Sequence, residues 1–183
     1  MPTIYIAGAS SGAGATAVAT GIATLLANNG AEAALAKVLR VGASAAPDED
    51  SAFHQSLFPN NAAHSGWPAS VEHVPDASAL DGIAANLKEA KLPSGYTFVE
   101  GVSGDIPEDD RYRIDASLAK ALDARVILVS GCAPSTPSRV AGAFGDRLIG
   151  AIINRVPDHG RWKPERVLCL CRGVLSCPAG RIL

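Results

Sequence analysis

Gly8-Ala9-Ser10-Ser11-Gly12-Ala13-Gly14-Ala15-Thr16 follows directly on the apolar run Ile4-Tyr5-Ile6-Ala7, and an alanine-rich stretch continues to about Asn28. Apolar run, glycine loop and helix in that order form the unit with which α/β proteins hold a phosphate. Glycines let backbone N–H groups approach an anion, and the positive end of the helix dipole faces it. Two readings of the loop are open. As a mononucleotide loop it presents Gly14-Ala15-Thr16 where Gly-Lys-Thr would stand, so the lysine is missing. As a dinucleotide loop it offers Gly8-x-x-x-Gly12-x-Gly14, the spacing of short-chain dehydrogenases.

The chain beyond the loop has the alternation of a parallel sheet. The spacing of Val18, Ile22, Leu25 and Leu26 predicts a helix over 15–28, stopped by Asn29-Gly30. Ala33 to Val38 reads as a strand, which completes a right-handed β-α-β unit. The irregular segment 42–70 contains one predicted helix, Asp50 to Leu57, with an acidic start suited to the dipole. Further on, the pattern predicts strands at 71–74, 96–99, 125–129 and 148–153, and helices at 77–91, 115–122 and 137–144. The fold class expected is α/β, a doubly wound and mostly parallel sheet with helices on both faces.

Bulk properties narrow the function. At 183 residues, 48% hydrophobic, with no internal repeat, one globular domain is expected rather than a disordered chain. A net charge of −2 gives no reason to invoke nucleic acid or an anionic membrane surface. No apolar run approaches the roughly 18–20 residues needed to span a bilayer, and no basic segment precedes the first apolar run, so no signal peptide is expected and the compartment predicted is the cytoplasm. Cys169, Cys171 and Cys177 lack the paired C-x2-C spacing of structural zinc sites, and reduced thiols are the simpler expectation. His54, His64, His73 and His159 show no ligand spacing and are expected in loops or at the surface.

Chemistry outside the loop separates the two readings. A short-chain dehydrogenase needs Tyr-x-x-x-Lys, where lysine lowers the tyrosine pKa. Here Tyr5, Tyr96 and Tyr112 are followed four residues on by Ala9, Glu100 and Ala116. In open α/β sheets ligands bind outside the carboxyl ends of strands. Lys37, Glu100 and Asn154 each close a predicted strand, so a cation, a carboxylate and an amide are expected on the same edge as the loop. Thr16 is suited to Mg²⁺ through its hydroxyl, with Glu100 and Asp50 as further oxygen ligands, and Asn154 is suited to a nucleobase edge.

Gly14-Ala15-Thr16, Lys37, Asp48-Glu49-Asp50-Ser51-Ala52-Phe53, Val99-Glu100-Gly101-Val102-Ser103-Gly104 and Gly150-Ala151-Ile152-Ile153-Asn154-Arg155-Val156-Pro157 together resemble dethiobiotin synthetase. They resemble still more the dethiobiotin-synthetase-like domain at the N-terminus of long phosphate acetyltransferases. The likeness covers about residues 1–165. It implies a three-layer P-loop NTPase fold that binds ATP and Mg²⁺, a homodimer, and, in the synthetase, a small-molecule substrate whose carbamate is activated by ATP. Carried over by position, Gly8, Ser11, Gly12 and Gly14 with Thr16 cradle the nucleotide, and Asn154 reads adenine. Thr16, Asp50 and Glu100 serve the metal, and Lys37 is the catalytic lysine near phosphate and carbamate. Ala15 departs from the pattern where the family has its phosphate-binding lysine. The expectation is therefore a nucleotide-binding domain of weak or regulatory activity. An active ATP-dependent ligase, a non-binding interaction module and an NAD(P)-binding protein stand as alternatives. No acidic residue follows Glu165, and residues 166–183 read as an atypical tail, truncated or frame-altered relative to its relatives.

Overall fold

Ile4, Tyr5, Ile6 and Ala7 lie at the centre of the protein because an apolar run without polar alternation can be buried on both faces at once. They belong to the first strand, β1 (Thr3–Gly8). Ile4 and Ile6 face one core with Leu35, Phe98, Ile127 and Val129, while Tyr5 and Ala7 face the other with Ala36, Val99, Val126 and Leu128. The computed structural model describes residues 2–42, 48–58, 69–90, 95–131, 140 and 142–154. The atypical tail, all four cysteines, both tryptophans, His64 and His159 lie outside them, as do half of the predicted helix at 137–144 and the Arg155-Val156-Pro157 end of the last motif.

The elements that follow are α1 (Ala15–Asn28), β2 (Ala33–Lys37), β3 (Leu39–Val41), α2 (Glu49–Leu57), β4 (Ala69–Val71) and α3 (Ala77–Glu89). Then come β5 (Tyr96–Glu100), β6 (Ser103–Gly104), α4 (Glu108–Ala121), β7 (Arg125–Ser130), a 3₁₀ turn (Gly145–Arg147) and β8 (Leu148–Ile153). The main sheet is parallel, in the order β2-β5-β1-β7-β8. Helix α1 covers one face through Val18, Ile22 and Leu26; α3 and α4 cover the other through Leu80, Ile83, Leu87, Ile114 and Leu118. This is the expected three-layer α/β/α arrangement. From β1 the chain crosses to β2 on one side, and from β7 it continues to β8 on the other. The switch point at the carboxyl end of β1 is where ligands bind in such sheets.

Local signals account for the helix ends. Helix α1 stops where the Gly30 amide donates to Ala27 O and the Ala31 amide to Leu26 O, the paired bonds of a Schellman motif. Asp48 caps α2 by accepting from the Ser51 amide at 2.8 Å, and Asp76 caps α3 from the Ala79 amide at 2.8 Å.

Three expectations need correction. The strand expected at 71–74 lies at Ala69–Val71, where it pairs with β3. Strands β3 and β6 were not expected; each is too short to show a period, and they form with β4 a second parallel sheet, β4-β3-β6. Helix α4 begins at Glu108 rather than near Asp115. Its first turn, Glu108-Asp109-Asp110, is charged, and that acidic start favours the helix dipole although it hides the apolar period.

The small sheet positions the loop after β5, and Gly104 is its tightest point. Gly104 has φ +114°, and a Cβ there would meet Val41 O at 1.8 Å. Gly104→Ala is expected to lower stability by about 2–4 kcal/mol, from the left-handed backbone together with the clash. Gly82→Ala, in α3 with open space around it, should instead gain about 0.5–1 kcal/mol. Urea denaturation of both variants checks the opposite signs.

Candidate functional site

The chain leaves β1 at Gly8 and re-enters helix at Ala15. The Ala9 amide is tied to Val129 O at 2.8 Å and the Ala13 amide to Ser10 O at 3.2 Å, which fixes the loop between β1 and β7. Gly14 stands at the N-cap of α1 with φ +94°, and no side chain caps the helix. Amides that open a helix have no intrahelical acceptor, so this end is electropositive. Asn154 reaches across from the end of β8, donating from Nδ2 to Ala13 O at 3.0 Å. A Cβ on Gly14 would lie 2.2 Å from that Nδ2. Loop and Asn154 are therefore in contact; the left-handed backbone of Gly14 favours glycine, and a Cβ there would push the Asn154 side chain aside.

Beside the loop lies a cavity of about 370 Å³, lined by Gly8, the residues from Ser10 to Ala17, Asp50, the residues from Glu100 to Gly104, and Arg111. Its lining brings three sequence-predicted residues together. Thr16, in the first turn of α1, donates its hydroxyl to Glu100 Oε1 at 2.6 Å. Glu100 sits at the end of β5, in register with Ile6 of β1 and with Lys37 of β2. Asp50, in the first turn of α2, lines the same cavity.

Lys37 is placed differently from a ligand-facing lysine. It is buried, bonded to Asp50 and 3.2 Å from Asp48, and it does not line the cavity. Burial acts to lower its pKa, but the carboxylates of Glu100, Asp50 and Asp48 outweigh that and hold the amine above its usual value. Asp48 is held low: burial acts to raise it, and its bonds from the Ser51 hydroxyl and amide, with the Lys37 charge, prevail.

Glu100 is 5% exposed. Burial pushes its pKa up to about 7, and Lys37 and the Thr16 hydroxyl offset only part of that rise. Its second oxygen, Oε2, has no hydrogen bond among the described residues and lies 3.5 Å from His54 Nε2. His54 is buried on α2, against the expectation of a surface or loop histidine. The reason is helical spacing: four residues after Asp50, it falls on the same inward side of α2. His73, as expected, is exposed.

These donors suit a hard cation. A buried carboxylate oxygen without a hydrogen bond, with a hydroxyl on its sister oxygen, is a fitting corner for Mg²⁺. Among the described residues no three His, Cys, Asp or Glu side chains form a metal-binding group. Magnesium needs no such cage, because it keeps waters and takes phosphate oxygens alongside one or two carboxylates.

The far wall is organised by α4, which the sequence reading missed as a contributor. Asp115 is fully buried and accepts at Oδ1 from Tyr5 OH and from the Val102 amide, both at 2.8 Å. Burial raises its pKa to about 6, against the lowering effect of those bonds and of Arg111. Tyr112 OH donates to Ala9 O in the glycine loop at 2.6 Å. Arg111 donates from Nη1 to Val102 O at 2.7 Å and from Nη2 to Gly104 O at 3.1 Å. One helix thus grips β1, the loop after it and the loop after β5. The signal available in sequence was Arg111-x-x-x-Asp115 spaced to share a helix face with Leu118.

Residues 2–174 match a family model described as an AAA domain. The chain belongs to this family. The family includes dethiobiotin-synthetase-like proteins. No curated protein sequence matches the chain. Its fold is similar to signal recognition particle 54 kDa protein from Aeropyrum pernix K1, solved in complex with GDP, with 14% identity and a TM-score of 0.58 over 99% of this chain and 40% of that one. It is also similar to the cell division protein MinD from Aquifex aeolicus, with 16% identity and a TM-score of 0.57 over 94% of this chain and 79% of that one. Chloroplast FtsY from Physcomitrella patens shares 15% identity and a TM-score of 0.52 over 83% of this chain and 49% of that one. The chain thus spans less than half the length of the signal recognition particle protein and of FtsY. At these identities the likeness establishes the fold, and this AAA-domain protein has the P-loop NTPase fold. No helix among the described residues is long and apolar enough to cross a membrane.

Proposed function

We propose that this AAA-domain protein binds Mg-ATP in the cavity between the glycine loop and Glu100, as a dethiobiotin-synthetase-like domain with weak turnover or a regulatory role. The observation that carries the reading is the Thr16–Glu100 pair, a first-turn hydroxyl 2.6 Å from a buried strand-end carboxylate, beside an uncapped helix N-terminus. Burying a carboxylate is costly, and although Thr16, His54 and Lys37 lie around Glu100, its Oε2 keeps no hydrogen bond among the described residues. Mg²⁺ held by Thr16 and Glu100, with Asp50 near, would shield the phosphate charge. The loop from Gly8 to Gly14, Ser11 included, would receive the phosphates on its amides, and Asn154 would read the base from the β8 side.

Weak turnover follows from Ala15. A charge-assisted hydrogen bond to phosphate is worth roughly 1.5–3 kcal/mol, so its absence weakens binding about tenfold to a hundredfold. A missing preorganised donor in the transition state costs about 10²–10³ in rate. Lys37 is a poor replacement, being buried, paired with Asp48 and Asp50, and itself absent from the cavity lining. That arrangement speaks against the alternative of an efficient ligase.

Thr16→Ala is expected to weaken Mg-ATP binding about tenfold and to leave ATP in excess EDTA unchanged. Isothermal titration with and without metal measures this. Equal loss under both conditions would assign Thr16 to the helix rather than to magnesium.

A further inference from the structure

The cavity has a cation that the glycine loop does not supply. Arg111 is the basic residue among those lining it, it is 6% exposed, and it enters from α4. A guanidinium carries five N–H donors. Two are committed, to Val102 O and Gly104 O, and Nε meets no acceptor among the described residues. Ser103 also lines the cavity, and its hydroxyl has no hydrogen-bond partner among the described residues. The Asp115 Oδ1 that faces this region is already taken by Tyr5 and Val102. Buried donors left without acceptors are costly, and the carboxylate that Arg111 acts on, Asp115, spends that Oδ1 on those two partners rather than on the guanidinium. A phosphoanion in the cavity supplies what is missing: charge and several acceptor oxygens, which a guanidinium fork matches.

We propose that Arg111, assisted by the Ser103 hydroxyl, is the phosphoanion-binding group of this cavity, acting from the α4 wall where the α1 side presents Ala15. The inference rests on the nucleotide reading only for the identity of the ligand; the site itself would take inorganic pyrophosphate as well as the phosphates of ATP. Two roles for Arg111 are separable. As a clamp it needs its two bonds to the β6 segment, and any substitution would disturb the wall equally. As an anion ligand it needs charge.

The test titrates pyrophosphate and Mg-ATP into the whole chain and into Arg111→Lys, Arg111→Met and Ser103→Ala, with thermal denaturation of each. Arg111→Met should weaken both ligands roughly tenfold to a hundredfold, the loss of one charge-assisted contact. Arg111→Lys should lose clearly less than Arg111→Met, since charge is kept although the fork is lost. If Arg111→Met does not fold, the Lys variant and Ser103→Ala decide, the latter with an expected loss of about fivefold to tenfold for pyrophosphate. Unchanged pyrophosphate affinity in Arg111→Met, or equal losses in Met and Lys variants that fold, would overturn the proposal. In the fallback, a Lys variant losing about a hundredfold or more, the full charge-assisted contact, or an unaffected Ser103→Ala would do the same. Mg-ATP binding that ignores Arg111 sinks this site and keeps the nucleotide reading. Pyrophosphate binding that needs Arg111, without Mg-ATP binding, does the reverse, and a parent chain that binds neither ligand sinks both.

Discussion

Ala15→Lys is expected to tighten Mg-ATP binding roughly tenfold to a hundredfold and to raise phosphate release by about 10²–10³. Ala15 is the first residue of α1, lines the cavity and is half-buried, so a longer side chain there starts at the phosphate end. Its neighbours in the cavity include Asp50 and Glu100. Part of the new charge will therefore be spent on carboxylates when metal is absent, and the gain should be largest with Mg²⁺ present. Charge alone is not the cause expected. Ala27→Lys adds the same charge to an exposed site near the far end of α1, about 18 Å along the helix axis, and should leave both quantities unchanged. Calorimetry and a phosphate-release assay on the pair measure the effect. Equal behaviour of the two variants would remove Ala15 as the explanation for weak turnover.

Glu100→Gln should move stability and ligand binding in opposite directions. Burial raises the Glu100 pKa from 4.5 to about 7. Between those values the folded protein holds a proton that the unfolded chain has released, so stability falls as pH rises through the window. Above pH 7 the buried charge is fully present and its cost is complete. Glutamine mimics the protonated side chain and can still accept from Thr16. The variant is therefore expected to gain on the order of 3 kcal/mol at pH 8 and little at pH 4.5. Asp115, raised to about 6 with the same sign, will leave a residual decline at lower pH in both proteins. Mg-ATP affinity, by contrast, should fall about tenfold to a hundredfold with the lost carboxylate charge. Thermal melts across pH with titrations at pH 8 report both. A melting temperature that falls at pH 8 would mean Glu100 is held for structure rather than for a cation.

The sequence read best where one physical signal dominated. An apolar run buried on both faces, a glycine loop and an alanine-rich helix gave β1, the loop and α1 with α1 bounded at Ala15–Asn28 as found. Strand-end polar residues were legible because a carboxylate or amide closing a buried strand has few structural uses. Their mutual placement was partly legible: Glu100 and Thr16 meet as expected, while Lys37 turns to Asp48 and Asp50. What stayed hidden was polar groups buried where periodicity predicts apolar ones. Arg111 and Asp115 on the inward side of α4, and His54 on that of α2, look in sequence like solvated charges. Only the fold shows that backbone carbonyls, Tyr5 and Glu100 meet them. Strands β3 and β6 were hidden for a simpler reason, being too short to carry a pattern.

Calorimetric titration of the unaltered chain with Mg-ATP, and with NADPH under the same conditions, tests the central claim most directly. A saturable, metal-dependent, one-to-one isotherm for ATP with weaker or absent NADPH binding is the result predicted. Absence of ATP binding, or tighter binding of NADPH than of ATP, would contradict it.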